Sequence, residues 1–468
     1  MERGALEGIG KKGITGYSLE LIKNLYEGHQ RRVKTVGGKT KWLPCHTGVR
    51  QGCILSPLLF SIYIEELGDR LAKHSKGVKL GGMNITALAF ADDVVLIASD
   101  AEDLQNQLEI LYNFCINNKM KVHGGKTKVM RVGGPKDDFV WELSTPEGEP
   151  IMSIQETNLS KYLGAWFGNS RVWQQHMAKK KQEARWRILK LKNSANDGRD
   201  PGWLANAGWQ SAIRPSVLYG AEVINYTKTW MREIETIQNK LGKWILGVGM
   251  DAPSAGVRGE LGWPSILEEI AKRKIIFWDR VKNMDENVWV KKAMEWILSA
   301  PYVSETYKSL EWARELLGEP ELFGLIRGNA LKRAIKKKIC ENWKADINTK
   351  LVGYPKKTLE GKVKYAGRGA VASTMAKFRL GCVQKQWEVR NGPCTLCGEI
   401  YEDIRIHILW ECASLPPPWQ GWRTILDSNE PPVAKLEKIL KNQTWDNMSQ
   451  IYQRWKAFTQ HGNLPNQQ

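Results

Sequence analysis

The chain has 468 residues, too many for one hydrophobic core, so roughly two to four domains are expected. Hydrophobic residues make up 42% and charged residues 25%, a globular balance that excludes disorder over the whole length. The formal net charge of +19 favours a polyanionic partner, most often nucleic acid, with a solvated basic surface as the bland alternative.

No stretch of about 18 uncharged apolar residues occurs, so no membrane span is expected. "MERGALEGIGKKGITGY" carries charge and glycine where a signal peptide needs an apolar run, so an intracellular protein is expected. Eight cysteines in a chain this long do not suggest a disulfide scaffold.

"SLELIKNLYEGHQRRV" reads as a helix, with Leu19, Leu21, Ile22, Leu25 and Tyr26 at helical spacing. "HTGVRQGCILSPLLFSIYIEELGDRLAKH" reads as a loop and then a helix. Ser56 is the expected N-cap and Pro57 the first helical residue. Leu58, Leu59, Ile62, Leu67 and Leu71 make the apolar face. "ALAFADDVVLIASD" (87–100) predicts two short strands of core character joined at Ala91-Asp92-Asp93. A helix follows at "DAEDLQNQLEILYNFCINNK", with acids in its first turn. "GGPKDD" (133–138) marks a turn. Residues 136–175 are expected to be β-rich and 176–385 mostly helical. The rest holds a cysteine cluster and a tail containing "PPPWQ".

Adjacent carboxylates repel, and burying either one unpaired is costly. A hard divalent cation removes the repulsion: Mg²⁺ takes carboxylate and phosphate oxygens. Phosphoryl-transfer polymerases use two such metals about 3.5–4 Å apart. The alternative is an ordinary turn, where Asp bonds its own backbone.

"GVRQGCILSPLLF" (48–60) and "FADD" (90–93) together resemble the reverse transcriptase family, in the order and spacing of its palm motifs B and C. Non-LTR retrotransposons of the LINE type fit best, because "LIKNLYEG" precedes "GVRQGC". "GGKTKVM" (124–130) resembles motif D and "KYLGAWF" (161–167) the primer-grip motif E. "VLYGAEV" (217–223) resembles the thumb region that follows. A viral RNA polymerase of similar palm is disfavoured by "FADD" in place of "GDD".

The resemblance implies an α+β fold: a partial right-hand palm, with an antiparallel sheet and helices, then a helical thumb and a small zinc knuckle. The expected domains are the palm at 1–170, the thumb at 171–275, a basic helical region at 276–385, and the knuckle with its tail at 386–468. It also implies residue roles. Asp92 is a metal ligand, and Asp93 is its partner or an acid just behind the ligands. Phe90 and Ala91 shape the turn. Gln51 and Gly52 lie by the nucleotide and template. Lys126 matches the motif D lysine, although Gly124 and Gly125 replace the family's usual asparagine just before it. Tyr162, Leu163 and Gly164 support the primer end, with core packing the alternative for the first two. The implied partners are an RNA template, a DNA primer or target, and dNTPs. The implied compartments are nucleus and cytoplasm.

The family's further aspartate, in motif A, has no counterpart here. The acids before residue 48 are Glu2, Glu7, Glu20 and Glu27, none in an apolar strand pattern. The expectation is a chain cut just after motif A, with little or no polymerase activity. A catalytically dead nucleic-acid-binding remnant is the alternative.

"CTLCGEIYEDIRIHILWEC" gives Cys394-x2-Cys397-x9-His407-x4-Cys412. A Cys3His set suits tetrahedral Zn²⁺, with reduced, unligated cysteines or a core histidine facing Ile406 and Ile408 as the alternative. Gly398 permits the tight turn, and "EDIRIHILWEC" reads as a short helix presenting His407 and Cys412. LINE-type proteins often carry such a knuckle, which agrees with the resemblance. Cys45, Cys53, Cys115, Cys340 and Cys382 lack such spacing and are expected to be reduced thiols.

"KKKQEARWRILKLK" (179–192) and "LKRAIKKKI" (331–339) are basic helical stretches. Lys179, Lys180, Lys181, Arg185 and Arg187 are candidates for phosphate contacts, with Trp186 available for stacking. A solvated helix face is the alternative. Trp244 and Trp278 sit at core spacing.

Overall fold

The computed structural model describes residues 10, 13–44, 48–50, 52–80, 82–133, 139–144, 150–169, 173–196, 201–299, 304–318, 326–348, 369–380, 393–394, 396–442 and 444–461. Two compact units divide the chain: Met1–Val172 with Lys292–Trp296, and Trp173–Lys291 with Ile297–Gln468. Among the described residues no helix is long and apolar enough to cross a membrane.

The first unit mixes helices with antiparallel two-stranded ladders. The helix Gly16–Tyr26 buries Ile22 and Tyr26 against Leu59 of the helix Ser56–His74. Between them, β1 (Gln30–Arg31) pairs with β4 (Leu43–Pro44), and β2 (Lys34–Thr35) with β3 (Gly38–Lys39). β5 (Val78–Leu80) pairs with β6 (Met83–Ile85), and β7 (Ala87–Phe90) with β8 (Asp93–Leu96).

Leu67 and Leu71 of the helix Ser56–His74 bury against Phe114 of the helix Ala101–Asn117. Burying side chains of this size stabilises by about 1.5–3 kcal/mol each. Asp100 caps the second helix by accepting from the Asp103 N–H at 2.8 Å. That bond comes first among the causes that hold the Asp100 carboxyl below its usual range. Asp103 itself is buried and accepts from the Lys76 and Gly77 N–H groups, each at 2.8 Å.

β9 (Trp141–Ser144) pairs with β10 (Pro150–Ile154), and β11 (Leu159–Tyr162) with β12 (Ala165–Gly168). Trp141, Leu143 and Ile154 pack under Leu108 of the same helix. The expected palm sheet is therefore present as separate two-stranded ladders among the described residues.

The second unit is helical, as residues 176–385 predict. Its largest core gathers Trp209, Trp230, Trp263 and Leu246 from the helices Pro201–Gly208, Lys228–Leu246 and Ser254–Leu261 and the segments that follow them. Trp278 is buried in the helix Ile266–Lys282, in keeping with its spacing. Ser265 and Glu268 close a full capping box on that helix.

A second core joins the helix Gly369–Arg379 to the cysteine cluster and to the helices Pro432–Lys441 and Trp445–His461. The expected boundary at 386 thus gives way to a module that recruits 369–379. What reads as a tail folds around the cysteines.

Candidate functional site

Phe90 pairs with Asp93 across the last rung of β7 and β8, which leaves Ala91 and Asp92 as a two-residue turn. Ala91 takes φ +54° while Asp92 does not turn positive, the pattern of a II′ hairpin. The far end of the ladder is anchored where Ala87 and Leu96 pack against Leu67, Leu71 and Phe114. The near end projects into solvent. Ala91, Asp92 and Asp93 are exposed, and Phe90 is 64% exposed. The expectation of two core strands is corrected by this: the strands are half-buried, and the acids are tolerated because they lie at an exposed tip. Among the described residues neither carboxylate has an ion pair or hydrogen bond. Two like charges side by side without a counterion suit a hard cation, which takes only oxygen ligands.

A second hairpin turn lies within electrostatic reach. Tyr162 pairs with Ala165, and Leu163 and Gly164 form the turn at φ +46° and +82°, the I′ pattern. Burial, and then the charge of Asp93, holds the Tyr162 hydroxyl above its ordinary range. The turn at Asp92–Asp93 and the turn at Leu163–Gly164 thus lie within electrostatic reach of each other.

The other candidates are placed as follows. Gly52 is exposed at φ +82°, and no atom lies within 4 Å of where a Cβ would sit. Gln51 lies outside the described residues, as do Cys45 and Cys382. Ser56 is not the N-cap. It is the first helical residue, after Leu55, and its Oγ donates to the Arg50 carbonyl at 2.6 Å and bonds Tyr26 Oη at 3.2 Å. The hydroxyl fixes the loop that carries Gly52 instead of the helix end. Lys126 is exposed in a turn, its N–H donating to the His123 carbonyl at 3.0 Å. No described contact joins Lys126 to Asp92 or Asp93.

On the helix Gln174–Asn196, Lys179 and Arg185 are exposed. Lys180 is 7% exposed and pairs with Glu183 at 3.4 Å, which corrects its reading as a phosphate contact. Arg187 also pairs with Glu183, at 2.5 Å, and Lys181 with Glu233 at 2.8 Å. Trp186 is 55% exposed, with Lys190 Nζ 3.9 Å from its ring centre.

The four C-terminal ligand atoms lie within 4.8 Å of one another. Cys394 and Cys397 flank a turn in which the Gly398 N–H donates to the Cys394 carbonyl at 2.9 Å, with Gly398 at φ +75°. The predicted helix continues as a π turn over His407–Glu411. The Cys412 N–H donates to the His407 carbonyl at 2.8 Å, and this i→i+5 bond stacks the two ligands.

The Sγ atoms of Cys394 and Cys412 are 4.0 Å apart, and Cys397 Sγ is 3.4 Å from His407 Nε2. Tetrahedral zinc, with bonds of about 2.3 Å to sulfur and about 2.0–2.1 Å to nitrogen, sets these spacings at about 3.8 and 3.6 Å. The residues therefore fit the ion. Behind them, Arg454 Nε donates to the Ile408 carbonyl at 2.8 Å and holds the π turn. Sequence reading missed Arg454, because a buried arginine spaced far from the ligands gives no motif.

An acidic hairpin tip within electrostatic reach of a second tight hairpin, the first anchored on packed helices, fits the palm of a template-dependent polymerase. Residues 10–167 match the family described as reverse transcriptase (RNA-dependent DNA polymerase). The chain is 36% identical over 106 residues to the retrovirus-related Pol polyprotein from type-1 retrotransposable element R2 of Nasonia vitripennis, covering 23% of this chain and 10% of that one. It is 31% identical over 174 residues to the transposon TX1 uncharacterized 149 kDa protein of Xenopus laevis, covering 32% and 13%. It is 24% identical over 270 residues to the RNA-directed DNA polymerase from mobile element jockey of Drosophila funebris, covering 54% and 28%. Each of the three is named for a transposable or mobile element. The chain spans less than a third of the length of each of these three relatives.

Proposed function

We propose that the Asp92–Asp93 turn is a metal-binding element for RNA-directed DNA synthesis, acting on an RNA template, a DNA primer or target, and dNTPs. The observation that carries this is the exposed, uncompensated carboxylate pair at a two-residue hairpin turn. Asp92 and Asp93 would hold Mg²⁺. When bound, the ion supplies charge neutralisation and Lewis-acid activation at the primer 3′-hydroxyl and the triphosphate.

The chain's own residues position the strands. The open place at Gly52 lets nucleic acid approach the backbone. Phe90 and Ala91 fix the turn, and Tyr162, Leu163 and Gly164 support the primer end. Lys126 is the candidate proton donor to the leaving pyrophosphate. Lys179 and Arg185 are the exposed members of the basic helix and meet the backbone phosphates. Cys394, Cys397, His407 and Cys412 hold one structural zinc that fixes the C-terminal module. Nucleus and cytoplasm are the compartments that fit this activity.

One observation favours a catalytically silent nucleic-acid-binding reading. Among the described residues, the Cys3His set is the one group of three or more metal-ligating side chains, and no third joins Asp92 and Asp93. Losing one preorganised electrostatic group commonly costs a factor of about 10² to 10³. With no third ligand beside Asp92 and Asp93 among the described residues, only traces of DNA are expected.

Primer extension on an RNA template tests this. Trace Mg²⁺-dependent synthesis, abolished by Asp92→Asn and by Asp93→Asn, is the expected result. Robust synthesis that survives both substitutions refutes the assignment.

A further inference from the structure

The stretch from Gln30 to Pro44 forms one long hairpin, with β1 on β4 and β2 on β3. Every residue in it is exposed. A two-stranded ribbon with no buried face is marginal in water.

Its charges work against it as well. "QRRVKTVGGKTKWLP" holds five cations, Arg31, Arg32, Lys34, Lys39 and Lys41, and no acid. Lys34 stands directly opposite Lys39, and like charges in that relation are destabilising. Among the described residues none of the five is in an ion pair. A solvated ribbon of no further use gains from an acid across from each lysine. This one gains only when an anion lies along it.

The aromatic residue narrows the choice of anion. Trp42 is 56% exposed, and the Arg32 guanidinium sits 4.5 Å from its ring centre. An exposed indole among cations is the means by which proteins hold unpaired bases, since every base has a face to stack. A duplex keeps those faces to itself, whereas a single strand offers them.

We propose that the hairpin 30–44 grips the single-stranded RNA template, its cations meeting the phosphates and Trp42 meeting an unpaired base. The identity of the strand as template RNA rests on the reverse transcription reading above. The grip itself rests on the ribbon.

Fluorescence anisotropy on the full chain tests it, with labelled single-stranded RNA, single-stranded DNA of the same sequence, and duplex DNA. The buffer holds no divalent metal and no nucleotide, so a silent polymerase site does not alter the result. The variants are Arg32→Gln/Lys39→Gln/Lys41→Gln and Trp42→Ala. All four positions are exposed, and circular dichroism checks the fold.

The triple variant is expected to weaken RNA binding about ten-fold or more near physiological salt. Its slope of log affinity against log salt is expected to be shallower by about two. Trp42→Ala is expected to weaken RNA binding about ten-fold with its slope unchanged. Both variants leave duplex DNA binding as it was. RNA affinities within about two-fold of the parent chain overturn the proposal, as does an equal loss on duplex DNA; an equal loss on single-stranded DNA overturns the assignment of the strand as RNA and upholds the single-strand grip.

Discussion

Asp93, at the start of β8, and Tyr162, at the end of β11, come within electrostatic reach although they lie far apart in the chain. Burial and the Asp93 charge both oppose ionisation of the Tyr162 hydroxyl. Asp93→Asn removes the second cause and leaves the first. The Tyr162 pKa is expected to fall but to stay above that of a free tyrosine. NMR titration of ring-labelled tyrosine, assigned with Tyr162→Phe, reads this. An unmoved resonance would separate the two hairpins.

A zinc ion held by the Cys3His set would tie metal to folding. Cys394 and Cys412 belong to the core that includes Ile408, Leu409, Leu436 and Ile451, and Cys397 packs against it, so the free energy of binding zinc there would become folding free energy. One zinc per chain is expected by elemental analysis. A chelator, or Cys397→Ser, is expected to remove it and lower the thermal transition of the C-terminal module. Arg454→Met is expected to weaken zinc retention about 10–100-fold, because it frees the π turn that carries His407.

Arg379 and Glu260 form an ion pair at 3.5 Å with both side chains fully buried. Arg379 also donates to the Leu440 carbonyl. Removing one partner leaves a buried charge, at a cost of about 3–5 kcal/mol, while replacing both with apolar groups costs far less. Denaturant unfolding of Arg379→Met, Glu260→Leu and the double variant is expected to show that order. Additive losses would contradict it.

His176 gives a pH dependence. It is fully buried, with the Trp173 and Tyr226 rings 6.3 Å away. Burial, reinforced by the charge of Lys180 and partly opposed by Glu183, pushes its imidazole down to about 4. The unfolded chain titrates near 6.5, so between these values it takes up the proton first. The contribution of His176 is therefore complete above about pH 6.5 and is lost as pH falls toward about 4. Thermal unfolding at pH 7 and pH 5 is expected to show a larger drop for the parent chain than for His176→Phe.

Much of the helical frame was legible. The apolar spacings in 16–26 and 56–74 and the acidic start of 101–117 predict the helices observed there. The hairpin at Asp92 was legible from its flanking apolar runs, and the C-x2-C spacing located the Cys3His cluster.

What escaped was what depends on partners distant in sequence. Ala89 and Phe90 are apolar by composition, yet the ladder carries them out to an exposed tip. Ser56 has the chemistry of an N-cap, but the Arg50 carbonyl claims its hydroxyl. Lys180 belongs to a basic run, but the helix turns it inward toward Glu183. A charge run shows that cations are present and not which face each one takes.

The central claim, that Asp92 and Asp93 grasp a divalent cation, is tested most directly by Mn²⁺ titration followed by electron paramagnetic resonance. The sample holds the full zinc-loaded chain with an RNA–DNA primer–template and a dNTP. The parent chain is expected to take up Mn²⁺ at a site that Asp92→Asn and Asp93→Asn each lose. Equal Mn²⁺ uptake by all three chains would contradict the account.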